Sequence, residues 1–253
     1  MEKKVKKVIV TVCFCLLFGV PLASYGQSSY GQHLPDALNL VSNLLITLNN
    51  SYGSPASINW NAAPDTAALT ECSSFVTLLL KHSYGWDNTF FINWMGSSSP
   101  NAATYHDKIA AANPTAGGWT QIFDITAVQP GDIIAIKYLP GYTTPNATGH
   151  VMVVQSAPVE NLNPNPPFGN GTSPIVAGTL QYKLQVVDSS DSYHGSTDSR
   201  YKSGHPGGIG QDGYFRIYID QNTHQIVGYT WSLYSNSTYY NQSQRNLVIG
   251  RLS

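Results

Sequence analysis

The chain has 253 residues, enough to bury a sizeable core as one large domain or two small ones. Charged residues make up 11% of it, against roughly 25% in an average soluble protein. Thirteen Lys+Arg balance fourteen Asp+Glu, so neither the basic footprint of a nucleic-acid binder nor the charged flanks of a coiled coil is present. A neutral chain rich in Tyr, Gly, Pro, Asn and Ser, with 11% aromatic residues, excludes long disorder and suits a globular domain outside the cytosol.

Four lysines in the first seven residues precede an apolar run over 8–23, and the small residues Ser24 and Gly26 suit a cleavage site. Residues 1–26 therefore read as a secretory signal, with a retained anchor as the competing reading. The run is short for a membrane span. The expectation is a secreted or periplasmic protein with no integral membrane segment after signal removal. Losing Lys3, Lys4, Lys6, Lys7 and Glu2 takes Lys+Arg from 13 to 9 and Asp+Glu from 14 to 13, a net charge of −4. Cys13 and Cys15 leave with the signal, so Cys72 stands alone and no internal disulfide can form. A lone thiol in an exported chain is either buried and inert or kept for its reactivity.

Leu34, Leu38, Val41, Leu45 and Leu48 recur at helical spacing, which predicts a helix over 35–50 with Asp36 near its start as a cap. Residues 51–70, with Pro55 and Pro64, read as a loop. A second helix begins near Cys72, buries Phe75, Val76, Leu79 and Leu80, and stops at Gly85. Short helical pieces follow over 86–113, the clearest at 102–112. After Gly118 the period changes. Runs rich in β-branched and aromatic residues predict strands at 133–138, 151–155, 180–187, 214–219, 226–231 and 247–252. Helices followed by strands imply an α+β fold, with the helices packed on an antiparallel sheet or partial barrel of about six strands. Two long loops, 157–178 and 189–213, separate strands. No internal repeat or composition shift divides 27–253, which reads as a single domain.

Three residues carry the chemistry. Cys72 opens a helix, where unpaired N–H groups and the helix dipole favour an anion and can hold an oxyanion on a carbonyl under attack. The bland alternative is a small buried residue. His150 opens the strand that follows Gly149, a rigid seat for a general base; the alternative is a surface histidine. Asp188 ends the next strand, where it can accept the imidazole N–H and fix its tautomer; the alternative is a turn cap for Ser189 and Ser190. Each alternative is common alone. The three in this order favour a cysteine nucleophile.

Glu71-Cys72-Ser73-Ser74-Phe75-Val76, then Pro130-Gly131-Asp132-Ile133-Ile134, then Gly149-His150-Val151 resemble the NlpC-type cell-wall cysteine peptidases and the related CHAP amidases. Their pattern is Asp-Cys-Ser-Gly-Phe-Val, a Gly-Asp turn, and a strand opening His-Val. Glu71 stands here for Asp, and Ser74 for Gly. The match covers about residues 70–190. It implies a papain-like core with Cys72 as nucleophile, His150 as base and Asp188 as orienter. It also implies that residues near 86–118 and 157–178 are insertions, and that no cofactor is needed. The implied function is hydrolysis of an amide or peptide bond, with peptidoglycan stem peptides or another peptide as substrate.

His194, followed by Asp198 and Arg200, is the rival third member of the triad. The density of Asp and His there raises the question of a metal, but no zinc or calcium spacing is present, so none is expected. Ser73 as a serine nucleophile lacks its elbow motif. Ser73, Trp86 and His194 are the candidates for contacting substrate. Two other functions stay open: an acyltransferase on the same fold, and a non-catalytic secreted glycan-binding module using its aromatic residues.

Overall fold

The computed structural model describes residues 31–113, 118–143, 147–162 and 175–252. The expected signal over 1–26 lies outside these. Helix α1 (His33–Thr47) buries Leu34, Ala37, Leu40, Val41 and Leu44 along one stripe. Asp36 does not cap it. Its carboxylate accepts from Gln32 Nε2 at 3.0 Å and from the Ser83 hydroxyl at 2.6 Å, which ties α1 to the next helix. That helix, α2 (Cys72–Tyr84), ends at Gly85 in the left-handed conformation. Helices α3 (Asn88–Met95) and α4 (Ala102–Ala110) are capped by Asp87 and Asn101, whose side chains accept from Phe90 N and Thr104 N.

The stretch 51–70, expected as a loop, holds most of a three-stranded sheet. Strand β1 (Asn50–Tyr52) pairs parallel to β3 (Ala67–Thr70), and β2 (Ser57–Asn59) pairs antiparallel to β3. Polar composition and two prolines hide strands this short.

The main sheet has nine strands among the described residues, not about six. They are β4 (Trp119–Ile122), β5 (Ile133–Tyr138), β6 (Gly149–Val154), β7 (Val159–Glu160), β8 (Thr179–Ser190), β9 (Gly208–Asp220), β10 (Ile226–Thr230), β11 (Tyr240–Asn241) and β12 (Arg245–Leu252). Their order is β11-β10-β9-β8-β6-β5-β12-β4, with β7 on β8, and every pairing is antiparallel. The expected loop over 189–213 is shorter than the composition implied. β8 runs on to Ser190, a five-residue helix α5 (Ser199–Ser203) follows, and β9 begins at Gly208. The fold is mixed α+β, and the sheet is not closed into a barrel.

One face of the sheet packs under α1, α2 and α4. Val76, Leu79 and Leu80 meet Ile133, Ala135, Val151, Val153 and Val187 there. Phe91, Met95, Tyr105 and Ile109 of α3 and α4 join the same core. The other face curls on itself around Ile134, Ile136, Met152, Leu184, Phe215, Ile217 and Tyr229. Strands buried on both faces read as unbroken apolar runs, which is why β5 and β6 are conspicuous in the sequence.

Two joints fix the two ends of β5. At Gly149 the backbone has φ +156, and a Cβ there would collide with the Ile136 carbonyl of β5. Gly149→Ala is expected to cost roughly 2–4 kcal/mol by combining strain and overlap, measured by chemical denaturation; a cost below 1 kcal/mol would contradict the close approach. At the other joint, buried His33 bonds the Tyr84 hydroxyl through Nδ1 and the Gly131 carbonyl through Nε2, both at 2.7 Å. Burial lowers its pKa and outweighs the raising effects of the Gly131 carbonyl, Asp132 and Asp36. Its contribution to stability is therefore present above the unfolded value of about 6.5 and is lost as pH falls toward the depressed folded value. Thermal unfolding below pH 6.5 is expected to show a flatter acid slope in His33→Asn than in the parent, and an unchanged slope would contradict this role.

Candidate active site

α2 starts where the small sheet hands the chain to the helix layer. Ser74 closes its first turn: its hydroxyl accepts from the Glu71 N–H at 2.9 Å and donates to the Glu71 carbonyl at 3.0 Å. Cys72 is thereby the first residue of the helix, buried, beside backbone N–H groups that have no intrahelical partner. The Gly131-Asp132 turn plays a structural part. Asp132 accepts from Arg251 at 2.8 and 2.9 Å and from the Gln129 N–H at 2.8 Å, which ties the entrance of β5 to β12.

β6 and β8 pair at Val153 with Val187 and at Val154 with Val186, and then diverge toward the start of β6. A bulge in β8 between Val186 and Asp188 re-aims the side chains that follow it. Asp188 is fully buried, and its Oδ2 accepts from His150 Nε2 at 2.7 Å. The charge of Cys72 acts on the same imidazole. His194, the rival third member, does not bond His150. Its Nε2 bonds the same Asp188 oxygen at 2.9 Å from the far side, and its Nδ1 bonds the Trp231 carbonyl at 2.5 Å. The Trp231 ring stands edge-on to His150, with centroids 5.1 Å apart at 82°.

Electrostatics follow from this crowding. Burial alone would raise the Asp188 pKa. The Arg200 guanidinium, then His194 and the bond from His150, hold it well below the usual carboxylate range. Burial alone would lower that of His150. The charge of Cys72 and the bonds to Asp188 and Cys72 push it up to about 10 instead.

A cleft of about 280 Å³ opens onto His150 and His194 and is lined as well by Tyr52, Tyr138, Gly149, Ser190–Tyr193 and Trp231. Among the described residues no lysine or arginine lines it. Burial and the charges of Cys72, Glu71, Asp191 and Asp188 raise the pKa of Tyr52, so its hydroxyl stays neutral. Of the residues expected to contact substrate, His194 lines the cleft and Ser73 and Trp86 do not. Trp86 packs elsewhere, stacked between Tyr84 and Phe90 at 4.7 and 4.5 Å. Tyr52, Tyr138 and Trp231 line the cleft and were not singled out by the sequence. Trp231 was one tryptophan among five, and Tyr52 lay in a stretch read as loop.

Among the described residues, His150, Asp188 and His194 bring three potential ligand atoms within 4.8 Å of one another. Both histidine nitrogens already bond Asp188 directly, and Arg200 holds its other oxygen. The facing ligand atoms are therefore already engaged with one another. Because the His150 pKa is raised above the unfolded value of about 6.5, the stability it contributes is full below that value and is lost as pH rises toward about 10. A ¹⁵N NMR titration of the folded protein is expected to show His150 still protonated at pH 8. A neutral ring at that pH would contradict the coupling.

No family profile and no solved structure matches the chain. Over 188 residues, 73% of this chain and 78% of the other, it is 32% identical to an uncharacterized protein of Acanthamoeba polyphaga mimivirus. Likeness of that extent marks common descent, and the chain belongs to the same family as that mimivirus protein.

Proposed function

We propose that the protein is a cysteine hydrolase of amide or peptide bonds, acting through Cys72, His150 and Asp188 on an NlpC- or CHAP-like, papain-like core. The single observation that carries the reading is His150. Its Nε2 bonds a fully buried carboxylate at 2.7 Å, the ring lines an open cleft, and the charge of Cys72, the residue that heads α2, acts on it. A base oriented by a buried carboxylate and coupled to a cysteine supports assigning nucleophile, base and orienter to these three residues. The helix layer over an antiparallel sheet, with the cysteine helix packed against the histidine strand, supports the papain-like core.

In this reaction the Cys72 thiolate adds to the carbonyl carbon. The oxygen takes up the negative charge beside the N–H groups at the start of α2. The intermediate collapses with cleavage of the C–N bond, and the imidazolium of His150 gives its proton to the departing amine. Water then adds to the thioester with His150 as base, which releases the acid and restores the thiol. Asp188 keeps the His150 ring in one orientation throughout. The substrate class we propose is the peptide portion of bacterial cell wall. It rests on the resemblance of Glu71–Val76, Pro130–Ile134 and Gly149–Val151 to the cell-wall peptidases. The place of action proposed with it is outside the cytosol, after export through residues 1–26.

A second reading, a glycan-binding module, is supported by the cleft lining. Tyr52, Tyr138, Tyr193 and Trp231 offer ring faces of the kind that stack on sugars. Turnover of cell-wall peptides by the purified protein separates the two. Release of new amino groups is expected from the parent, with Cys72→Ala and His150→Ala each lowering it by roughly 10²-fold or more. Thermal unfolding of both variants checks that the fold is retained. Binding of glycan with no turnover, unchanged in folded Cys72→Ala, would replace the hydrolase reading with the module. Products joined to an added amine in place of free acid would identify an acyltransferase.

A further inference from the structure

Behind Asp188 lies a second layer of charge that the reaction above does not use. Arg200 is 2% exposed, in a chain with few cations. Its Nη2 donates to Asp188 Oδ1 at 2.7 Å and to Asp198 Oδ2 at 2.7 Å. Its Nε donates to Asp198 Oδ1 at 3.0 Å, and its Nη1 to the Gly208 carbonyl at 3.1 Å. Asp198 is fixed in turn. It accepts the Arg200 N–H as the cap of α5 and the His194 N–H, both at 2.9 Å. Every link in this chain is buried, down to Asp188 and Asp198 with no exposure at all.

Burying a guanidinium is expensive, and apolar side chains of similar size commonly serve stability as well or better. What such a pair supplies in return is geometry. A carboxylate held at one oxygen can still swing about its last torsion. Asp188 is held at both, by the two imidazoles on Oδ2 and by Arg200 on Oδ1. The path of Arg200 is also built in. Gly210 of β9 is the register partner of Asp188 on β8, and the guanidinium crosses the strand over it. A Cβ at Gly210 would strike the Arg200 guanidinium and come within 2.8 Å of Asp198 Oδ1.

We propose that Arg200 is a positioning residue: reaching across Gly210, it locks the Asp188 carboxylate in the orientation that aims His150 at Cys72. The inference rests on the Cys72–His150 reading and adds to it a residue that touches neither the nucleophile nor the base. The groups facing Asp188 are His150 from β6, His194 and Asp198 from the β8–α5 connection, and Arg200 from α5. Cys72 of α2 lies beyond His150.

The test reads alkylation of Cys72, the one cysteine among the described residues, by iodoacetamide at pH 6. The rate is divided by that of His150→Ala, so that only the histidine-dependent part counts. Two changes dislodge the lock by different routes: the double variant Arg200→Met with Asp198→Asn, which leaves no unpaired aspartate beside the lost cation, and Gly210→Ala, which keeps every charge and pushes Arg200 aside. Both are expected to lower the ratio by about tenfold or more, the scale of a small misplacement of a catalytic group. Arg200→Lys, which still reaches Asp188, is expected to recover part of it. Thermal unfolding reports the purely structural effect separately, and if the double variant fails to fold, folded Gly210→Ala decides. A folded variant that keeps the parent ratio overturns the positioning role and leaves the Cys72–His150 reading standing. A parent ratio near one overturns that reading, and this inference with it.

Discussion

A carboxylate withdrawn completely from water must be surrounded by donors, or it will not stay charged. Asp188 meets that requirement with bonds from three side chains, and each donor comes from a different part of the chain: His150 from β6, His194 from the segment after β8, and Arg200 from α5. The local architecture serves this convergence. The bulge in β8 turns the aspartate toward the point where β6 diverges. Gly149 lets β6 begin close against β5. The short α5 exists where it does because Asp198 caps its first turn while gripping the same arginine that α5 carries. One buried charge thus ties β6 to the end of β8 and to the segment through α5 that follows it.

The cluster sits at an edge where two cores meet. The helix layer covers one face of the sheet through Phe75, Val76, Leu79 and Leu80, and the curl of β8–β10 encloses the other around Phe215 and Tyr229. Cys72 approaches from the helix layer, while His194 and Trp231 belong to the curled side, with Phe215 against both. A cleft open to solvent at such a seam costs little packing, since neither core has to be interrupted. It also lets rigid elements on both sides hold the clustered side chains, which is what precise orientation needs.

How much of this was legible in the sequence varies with the physics. Helix α2 and its stop at Gly85 could be read because an apolar period of 3.6 and a left-handed glycine are local signals. β5 was read to the residue because both its faces are buried. β1 to β3 were missed because strands of three and four residues are too short to establish a period, and β1 and β2 are largely exposed. The extension of β8 to Ser190 and the start of β9 at Gly208 were missed because their residues are Ser, Gly and Asp, which read as loop. At the site, Cys72, His150 and Asp188 each lie at the start or near the end of a regular element, and that position is what drew attention to them. Arg200 was noticed only as a neighbour of His194. Its role depends on a cross-strand relation to Asp188 through Gly210, and no linear pattern encodes that relation.

The distribution of desolvation cost separates the two readings of the cleft. A sugar-binding surface needs exposed rings and flexible polar groups, and Tyr52, Tyr193 and Asp191 supply both cheaply at the rim. Nothing in that task calls for five ionisable side chains sunk behind the rim. Yet His150, Asp188, His194, Asp198 and Arg200 are all buried, and each pairs with another of the five. Buried charges of this kind are maintained where a proton or a developing charge must be held at a fixed place. The rim serves either function, whereas the buried network is what supports the proposed hydrolase over the binding module.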